Sequence, residues 1–314
     1  MKIVFFGSAQ FAVLSLKALI ASDHKISCVV TQPDRRKGRG LLLESTVIKK
    51  IASEAGLKIY EPLQVNSPES VQYLKGLNAD LYVIIAYGQI LSKEILEIPS
   101  IFSINIHASL LPKYRGAAPI NWVLINGEST TGLTAIKMTE DMDAGPIILQ
   151  ESTAIIPQET SKELEERLSK NAAELLMRTI SVIEQNNYKL IAQDGNKVSF
   201  APKLKKEQGM IDWNKPASVI YNLIRGCGGW PGAITFYKGK LLKIHKASVL
   251  QSVISPSERQ SGRIVEISKG GIVVNTANGD LKIEELQIEG KRRMKANDFI
   301  CGHNISIGET LGKK

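Results

Sequence analysis

The chain has 314 residues, 43% hydrophobic and 23% charged, the balance of a folded globular protein, and its length suits two cores better than one. No apolar run approaches the ~20 residues that cross a bilayer, and Cys28, Cys227, Cys301 and four scattered histidines show no metal-ligand or disulfide spacing. The net charge is +9, carried entirely by the last 126 residues: 1–188 hold 19 Lys+Arg against 20 Asp+Glu, and 189–314 hold 21 against 11. A cytoplasmic protein without a metal or a membrane attachment is therefore expected. Its basic half points either to a polyanion partner or to a surface kept basic for solubility, and charge alone does not choose.

Strand and helix signals alternate from the start. Apolar, β-branched runs at Lys2–Gly7, Ile26–Thr31, Leu81–Gly88 and Phe102–His107 predict strands. Helical patterns lie between them at Phe11–Ser22, Thr46–Gly56 and Pro68–Leu77. Such alternation implies an α/β fold with a doubly wound, mostly parallel sheet. A run as apolar as LYVIIAYG is what a sheet covered on both faces demands. A long helix follows at about 161–185, where Thr160 and Glu163 make a capping box and Leu164, Leu168, Ala172, Leu175, Leu176 and Ile183 form a stripe.

Residues 189–208 are polar, with Gly, Pro and clustered lysines, and read as a linker. One short helix then precedes several short strands, with turn signals at Gly239, Gly270 and Gly279. This is the pattern of a small antiparallel barrel or sandwich, and OB-like barrels often bind oligonucleotides. The expected division is a domain at 1–188, a linker at 189–208 and a second domain at 209–314.

GSAQF after the first strand lacks the G-x-G-x-x-G spacing, so a nicotinamide cofactor is disfavoured. A ligand can still sit at the carboxyl ends of the strands. Asn105 and His107 alternate with Ile104 and Ile106 near a strand end, so their side chains share a face. An amide can donate to a developing oxyanion, and an imidazole can shuttle a proton. A hydrogen-bonded pair that merely finishes the strand is the competing reading. Asp141 and Asp143 precede Ala-Gly-Pro, where a carboxylate can orient an imidazole or simply form a turn.

Arg35, Arg36, Lys37 and Arg39 cluster beside Gly38 and Gly40. Lys203, Lys205 and Lys206 lie in the expected linker, and Lys291, Arg292, Arg293 and Lys295 lie downstream. These can grip phosphates, or can be ordinary solvated charge.

Many motifs recur in order: TQPD (Thr31–Asp34), GRG (Gly38–Gly40), AYGQIL (Ala86–Leu91), INIHASLLPKYRGAAPI (Ile104–Ile120), TGLTAIKM, MDAGPI, IDW (Ile211–Trp213), WPGA (Trp230–Ala233) and KASV (Lys246–Val249). The chain resembles the folate-dependent formyltransferases nearly end to end, and most closely those whose acceptor is methionyl-tRNA. The resemblance implies that Asn105, His107 and Asp143 are catalytic. It further implies that Ser109, Leu110, Leu111 and Pro112 contact a 10-formyltetrahydrofolate donor. Tyr87, Gly88, Gln89, Ile90, Leu91, Met142 and Gly145 would line the pterin pocket.

By the same resemblance Arg35, Arg36, Lys37 and Arg39 reach the acceptor stem of initiator methionyl-tRNA, and Lys203, Lys205, Lys206, Lys291, Arg292 and Arg293 are expected from their charge to add phosphate contacts; a monomer is expected. The chain departs from the family in Ser-Ala-Gln after Gly7, in LLLES after Gly40 and in Gly229 where a proline is common. Rival readings are a formyltransferase for a purine ribonucleotide or an amino sugar nucleotide, a hydrolase of the donor, and a nonenzymatic RNA-binding protein.

Overall fold

The computed structural model describes residues 1–37, 42–251 and 259–312. They form two compact units: Met1–Pro119, Thr130–Ala154 and Glu165–Ala201 in the first, and Ile120–Ser129, Ile155–Leu164 and Pro202–Lys314 in the second. Among the described residues no helix is long and apolar enough to cross a membrane.

The first unit is built on strands β1 (Lys2–Gly7), β2 (Lys25–Val30), β3 (Arg35–Lys37), β4 (Leu42–Glu44), β5 (Ile59–Tyr60), β6 (Leu81–Ile85), β7 (Phe102–His107), β8 (Thr130–Lys137) and β9 (Ile147–Ala154). Seven of them make one sheet in the order β5-β2-β1-β6-β7-β8-β9, parallel as far as β7 and antiparallel over the last two steps. The expected α/β, mostly parallel, Rossmann-like sheet is what forms. Every residue of β6 is buried, as an apolar run covered on both faces must be.

The helix at Val47–Glu54 starts where Thr46 Oγ1 accepts from the Lys49 amide at 3.0 Å, and the helix at Pro68–Lys75 where Ser67 Oγ accepts from Ser70 at 3.3 Å. The strand expected to run on to Gly88 stops at Ile85. Ala86 and Gly88 take φ of 47° and 90°, left-handed values that cannot continue a ladder. That break turns the chain into a loop at the carboxyl end of the sheet.

Residues 189–201 are tied into the first unit. Ile147 and Ile191 exchange backbone hydrogen bonds of 2.8 and 2.9 Å, and Ala201 donates to the Arg115 carbonyl at 2.7 Å. Composition marked this stretch as linker because its side chains are polar. In the structure it is a strap, interrupted by a 3-10 turn at Gly195–Lys197, whose backbone bonds to the start of β9 and to the loop after β7.

The second unit contains a helix at Ala217–Gly226 and strands β10 (Ala233–Tyr237), β11 (Lys240–Leu250), β12 (Ile264–Ser268), β13 (Gly271–Asn275), β14 (Asp280–Ile288) and β15 (Met294–Lys295), followed by a short helix at Ala296–Gly302. The sheet is antiparallel, in the order β10-β11-β14-β13-β12, with β15 paired to β14. Lys238 and Gly239, at φ of 48° and 76°, form the two-residue turn that pairs Tyr237 with Lys240. Ile220 and Ile224 of the first helix and Phe299 of the second pack with Ile244, Ile283 and Leu286 to form the core. Gly229 has φ of 87°, a value closed to proline, so this loop follows its own path.

Candidate active site

Alternation along β7 sends Asn105 and His107 to one face, and both lie in register with the antiparallel strand beside them, Asn105 opposite Ile136 and His107 opposite Thr134. The turn between β8 and β9 brings Asp143 to the same place. Asn105 Nδ2 donates to Asp143 Oδ1 at 3.3 Å, and the Gly116 amide donates to Oδ2 at 2.8 Å. His107 Nδ1 stands 3.6 Å from Oδ1, too far for a direct hydrogen bond and close enough for an ionic contact or a bridging water. The three residues picked out from two distant stretches of sequence therefore meet around one carboxylate.

His107 Nε2 lies 2.9 Å from the Tyr114 carbonyl oxygen. A carbonyl only accepts, so Nε2 carries a hydrogen, and Nδ1 is left as the nitrogen that can gain or lose a proton. Asn105 Nδ2 has two N–H donors, one of which is committed to Asp143 while the other has no partner among the described residues.

Next to Asp143 opens a cleft of about 300 Å³. One wall is Gly88, Gln89, Ile90 and Leu91, and the other is Ile136 and the segment Met138–Asp143, with Gly116 and Ala117 beside them. The loop after β6 is shaped by Gln89, whose Oε1 accepts from the Val65 amide at 2.9 Å and whose Nε2 donates to the Pro62 carbonyl at 3.2 Å. Ile90 and Met142, 68% and 57% exposed, stand in the cleft lining as apolar side chains open to solvent. Asp141, the other carboxylate weighed from the sequence, lines it too, as do Gly116, Ala117, Ile136, Met138, Thr139 and Glu140, which were not singled out. The signal for Ile136 and Met138 was their alternation on an apolar strand leading to the Asp143 turn.

Other expected residues are placed differently. Tyr87 is buried and packs edge-on against Phe6, 5.5 Å between ring centroids, outside the cleft lining. Burial pushes its phenol up, and among the described residues its hydroxyl has no hydrogen-bond partner. Ser109–Pro112 is likewise absent from the lining. Ser109 Oγ donates to the Lys113 carbonyl at 2.6 Å, Leu111 is buried, and its carbonyl accepts from Gln150 Nε2 at 2.8 Å. These bonds turn the loop inward onto the sheet. Gly145 is buried at a close backbone crossing, where an added Cβ would collide with the Lys137 carbonyl.

At the ends of β1 and β2, Ser8 Oγ accepts from the Gln32 amide at 3.0 Å, and Gln32 Oε1 accepts from Arg35 Nη2 at 2.7 Å. Asp34 holds Lys49 at 2.9 Å, and that hydrogen bond keeps its carboxyl below the ordinary range. Arg35 opens a two-stranded hairpin of β3 and β4. Arg36 and Lys37 belong to it as backbone, their side chains lying outside the description, and Arg39 lies outside the described residues altogether. Lys203, Lys205, Lys206, Lys291 and Arg292 are exposed, while Arg293 is paired with Glu285 at 2.6 Å.

Comparison with known proteins identifies the family. Residues 1–180 match the formyl transferase family and residues 203–304 match its C-terminal domain. The methionyl-tRNA formyltransferase of Citrifermentans bemidjiense is 43% identical over 314 residues, covering 100% of this chain and 97% of its own. That of Clostridioides difficile is 43% identical over 312 residues, covering 99% of this chain and 100% of its own. Among solved structures, a sugar 3N-formyl transferase crystallised with dTDP and 5-N-formyl-THF superposes with a TM-score of 0.67 at 21% identity, over 93% of this chain and 99% of its own, a likeness of fold. With both family domains and full-length relatives in agreement, this chain belongs to the formyl transferase family, among the methionyl-tRNA formyltransferases.

Proposed function

We propose that the chain transfers the formyl group of 10-formyltetrahydrofolate to the α-amino group of initiator methionyl-tRNA, in the cytoplasm, with Asn105, His107 and Asp143 as its catalytic residues. The observation that carries the activity is the end-to-end identity with methionyl-tRNA formyltransferases, which covers the basic C-terminal part as well as the site. The sugar- and purine-nucleotide readings share only the fold at low identity. The geometry around Asp143 supports the mechanism.

The cleft suits the donor on chemical grounds. It is flanked by Ile90, Leu91, Ile136, Met138 and Met142, and the backbone of the 139–141 turn lies alongside to read the edge of a heteroaromatic ring. When bound, the donor supplies a formyl carbon activated by its nitrogen. The free N–H of Asn105 then donates to the formyl oxygen as negative charge gathers there, a contribution of about 3 kcal/mol for one such donor. His107, whose Nε2 is anchored to Tyr114, takes the amine proton through Nδ1 and passes it to the leaving nitrogen, worth a factor of about 10² or more. Asp143, fixed by Asn105 and Gly116, faces that nitrogen and stabilises the ring while it is charged.

The charged RNA is gripped by the basic residues, which position it rather than read it. Arg35 and its neighbours in the hairpin, together with Lys203, Lys205, Lys206, Lys291 and Arg292, are the groups proposed for this. Incubating the purified chain with the donor and methionyl initiator tRNA, and separating formylmethionyl-tRNA from its precursor, tests the assignment. Formylation that needs both reactants supports it. Product formed only on an amino sugar nucleotide or a purine ribonucleotide, or free formate without transfer, overturns it.

A further inference from the structure

We infer that Gln193 is a positioning residue for the transfer reaction, holding the Asp143 turn in its active shape while Arg115 fixes the amide. The inference rests on the reading of Asp143 as part of the catalytic trio. Gln193 comes from the 189–201 strap, 50 residues from Asp143 in sequence. Its Nε2 donates to the Asp143 carbonyl at 2.8 Å and to the Gly145 carbonyl at 2.7 Å. Its Oε1 accepts from Arg115 Nε at 3.1 Å and Nη2 at 2.7 Å. The orientation of the amide is thereby decided, because a flipped group would aim its N–H donors at the guanidinium and its oxygen at two carbonyls.

The turn needs such a clamp. Asp143 is a non-glycine residue at φ of 52°, a strained left-handed conformation that persists only where its surroundings impose it. On the side-chain end the carboxylate is held by Asn105 and Gly116, and on the main-chain end by Gln193. Arg115 and Gly116 are adjacent, so one stretch of chain addresses both ends: Gly116 binds the carboxylate directly, and Arg115 reaches the backbone through Gln193. Releasing the carbonyls lets the turn relax and moves the carboxylate away from His107 without removing any group that touches substrate.

Gln193→Glu separates this role from packing. It keeps the size and the pairing with Arg115, but sets a carboxylate oxygen against the two carbonyls in place of the donors. Steady-state kinetics of formyl transfer for Gln193→Glu and Gln193→Ala, alone and on an Asp143→Asn background, reads the coupling. Each single variant is expected to lower kcat about 10- to 100-fold with the KM for charged RNA unmoved, at a temperature well below the thermal midpoint of every variant. On the Asp143→Asn background the same changes alter kcat by less than about twofold, since the group they position is already gone. Single variants within about twofold of the parent, or losses that multiply on that background, overturn the clamp alone. Failure of both variants to fold also overturns it, giving the amide a purely structural part. Full turnover by Asp143→Asn by itself overturns the trio and the clamp together.

Discussion

Asn105, His107 and Asp143 sit in a mesh of hydrogen bonds around a left-handed turn, whereas Lys203, Lys205, Lys206, Lys291 and Arg292 stand in solvent. On the proposed function, the contrast follows from what each region would be asked to do. Moving a formyl group requires donors placed to a fraction of an ångström, so His107 and Asp143 are largely buried and each is anchored by a backbone group. Holding a polyanion requires charge density, which long mobile side chains supply without fixed partners. Substitutions in the first region should therefore act through kcat with large, mutually dependent effects. Those in the second should act through binding, in small increments that salt removes.

The largest effect tests the first half of this contrast. His107→Ala should lower kcat by about 10³-fold or more while leaving RNA binding nearly unchanged, read by single-turnover formylation and filter binding. Normal turnover would dismantle the catalytic assignment. Changing Lys203, Lys205 and Lys206 together to Gln should raise the KM for charged RNA by about tenfold and leave kcat at saturation intact. The same triple change should flatten the salt dependence by about one unit of slope for each phosphate no longer neutralised. A fall in kcat instead would show that these lysines take part in positioning. Arg293→Gln should weaken binding less than Arg292→Gln, because Glu285 already engages Arg293.

A smaller effect concerns stability alone. Thr160→Ala should cost about 1 kcal/mol in a denaturant melt, with kcat unchanged, because Thr160 Oγ1 caps the long helix at Ser161–Glu184. Glu163 completes the cap. The Thr160 backbone N–H and then its hydroxyl hold the Glu163 carboxyl below its ordinary 4.5. That contribution is complete above the ordinary value and is lost as pH falls through the lowered one, so the gap between the parent and Glu163→Gln should close in acid. The least perturbing test is a thiol titration. Exposed Cys301 should react at once, while Cys28 and Cys227 should wait for unfolding, being buried, with the Cys227 thiol pushed up to about 11 by that burial.

Local pattern made much of the molecule legible. The all-apolar run at Leu81–Ile85 announced a strand covered on both faces, and Thr160 with Glu163 marked a helix start where the hydroxyl indeed caps. Alternation placed Asn105 and His107 on one face of a strand, and the resemblance named Asp143 as their partner. These inferences succeed because strand period and capping are set within a few residues of chain.

Other features depended on long-range pairings that no local pattern carries. Tyr87 belongs to a pocket motif in sequence, yet the left-handed residue before it, Ala86, diverts the chain and the ring goes into the core against Phe6. The hydrogen bonds that tie the Ser109–Pro112 loop to Thr134 and Gln150 are equally invisible in the sequence. Gln193 read as an unremarkable member of a polar linker until folding set its amide between Arg115 and the Asp143 turn. The sequence by itself determined the two-part α/β and antiparallel design, the family and the chemical groups in the site. Only the tertiary structure decided which loops face the cleft and what holds Asp143 in place, because hydrogen bonds between segments 23 to 78 residues apart depend on how the whole sheet is assembled.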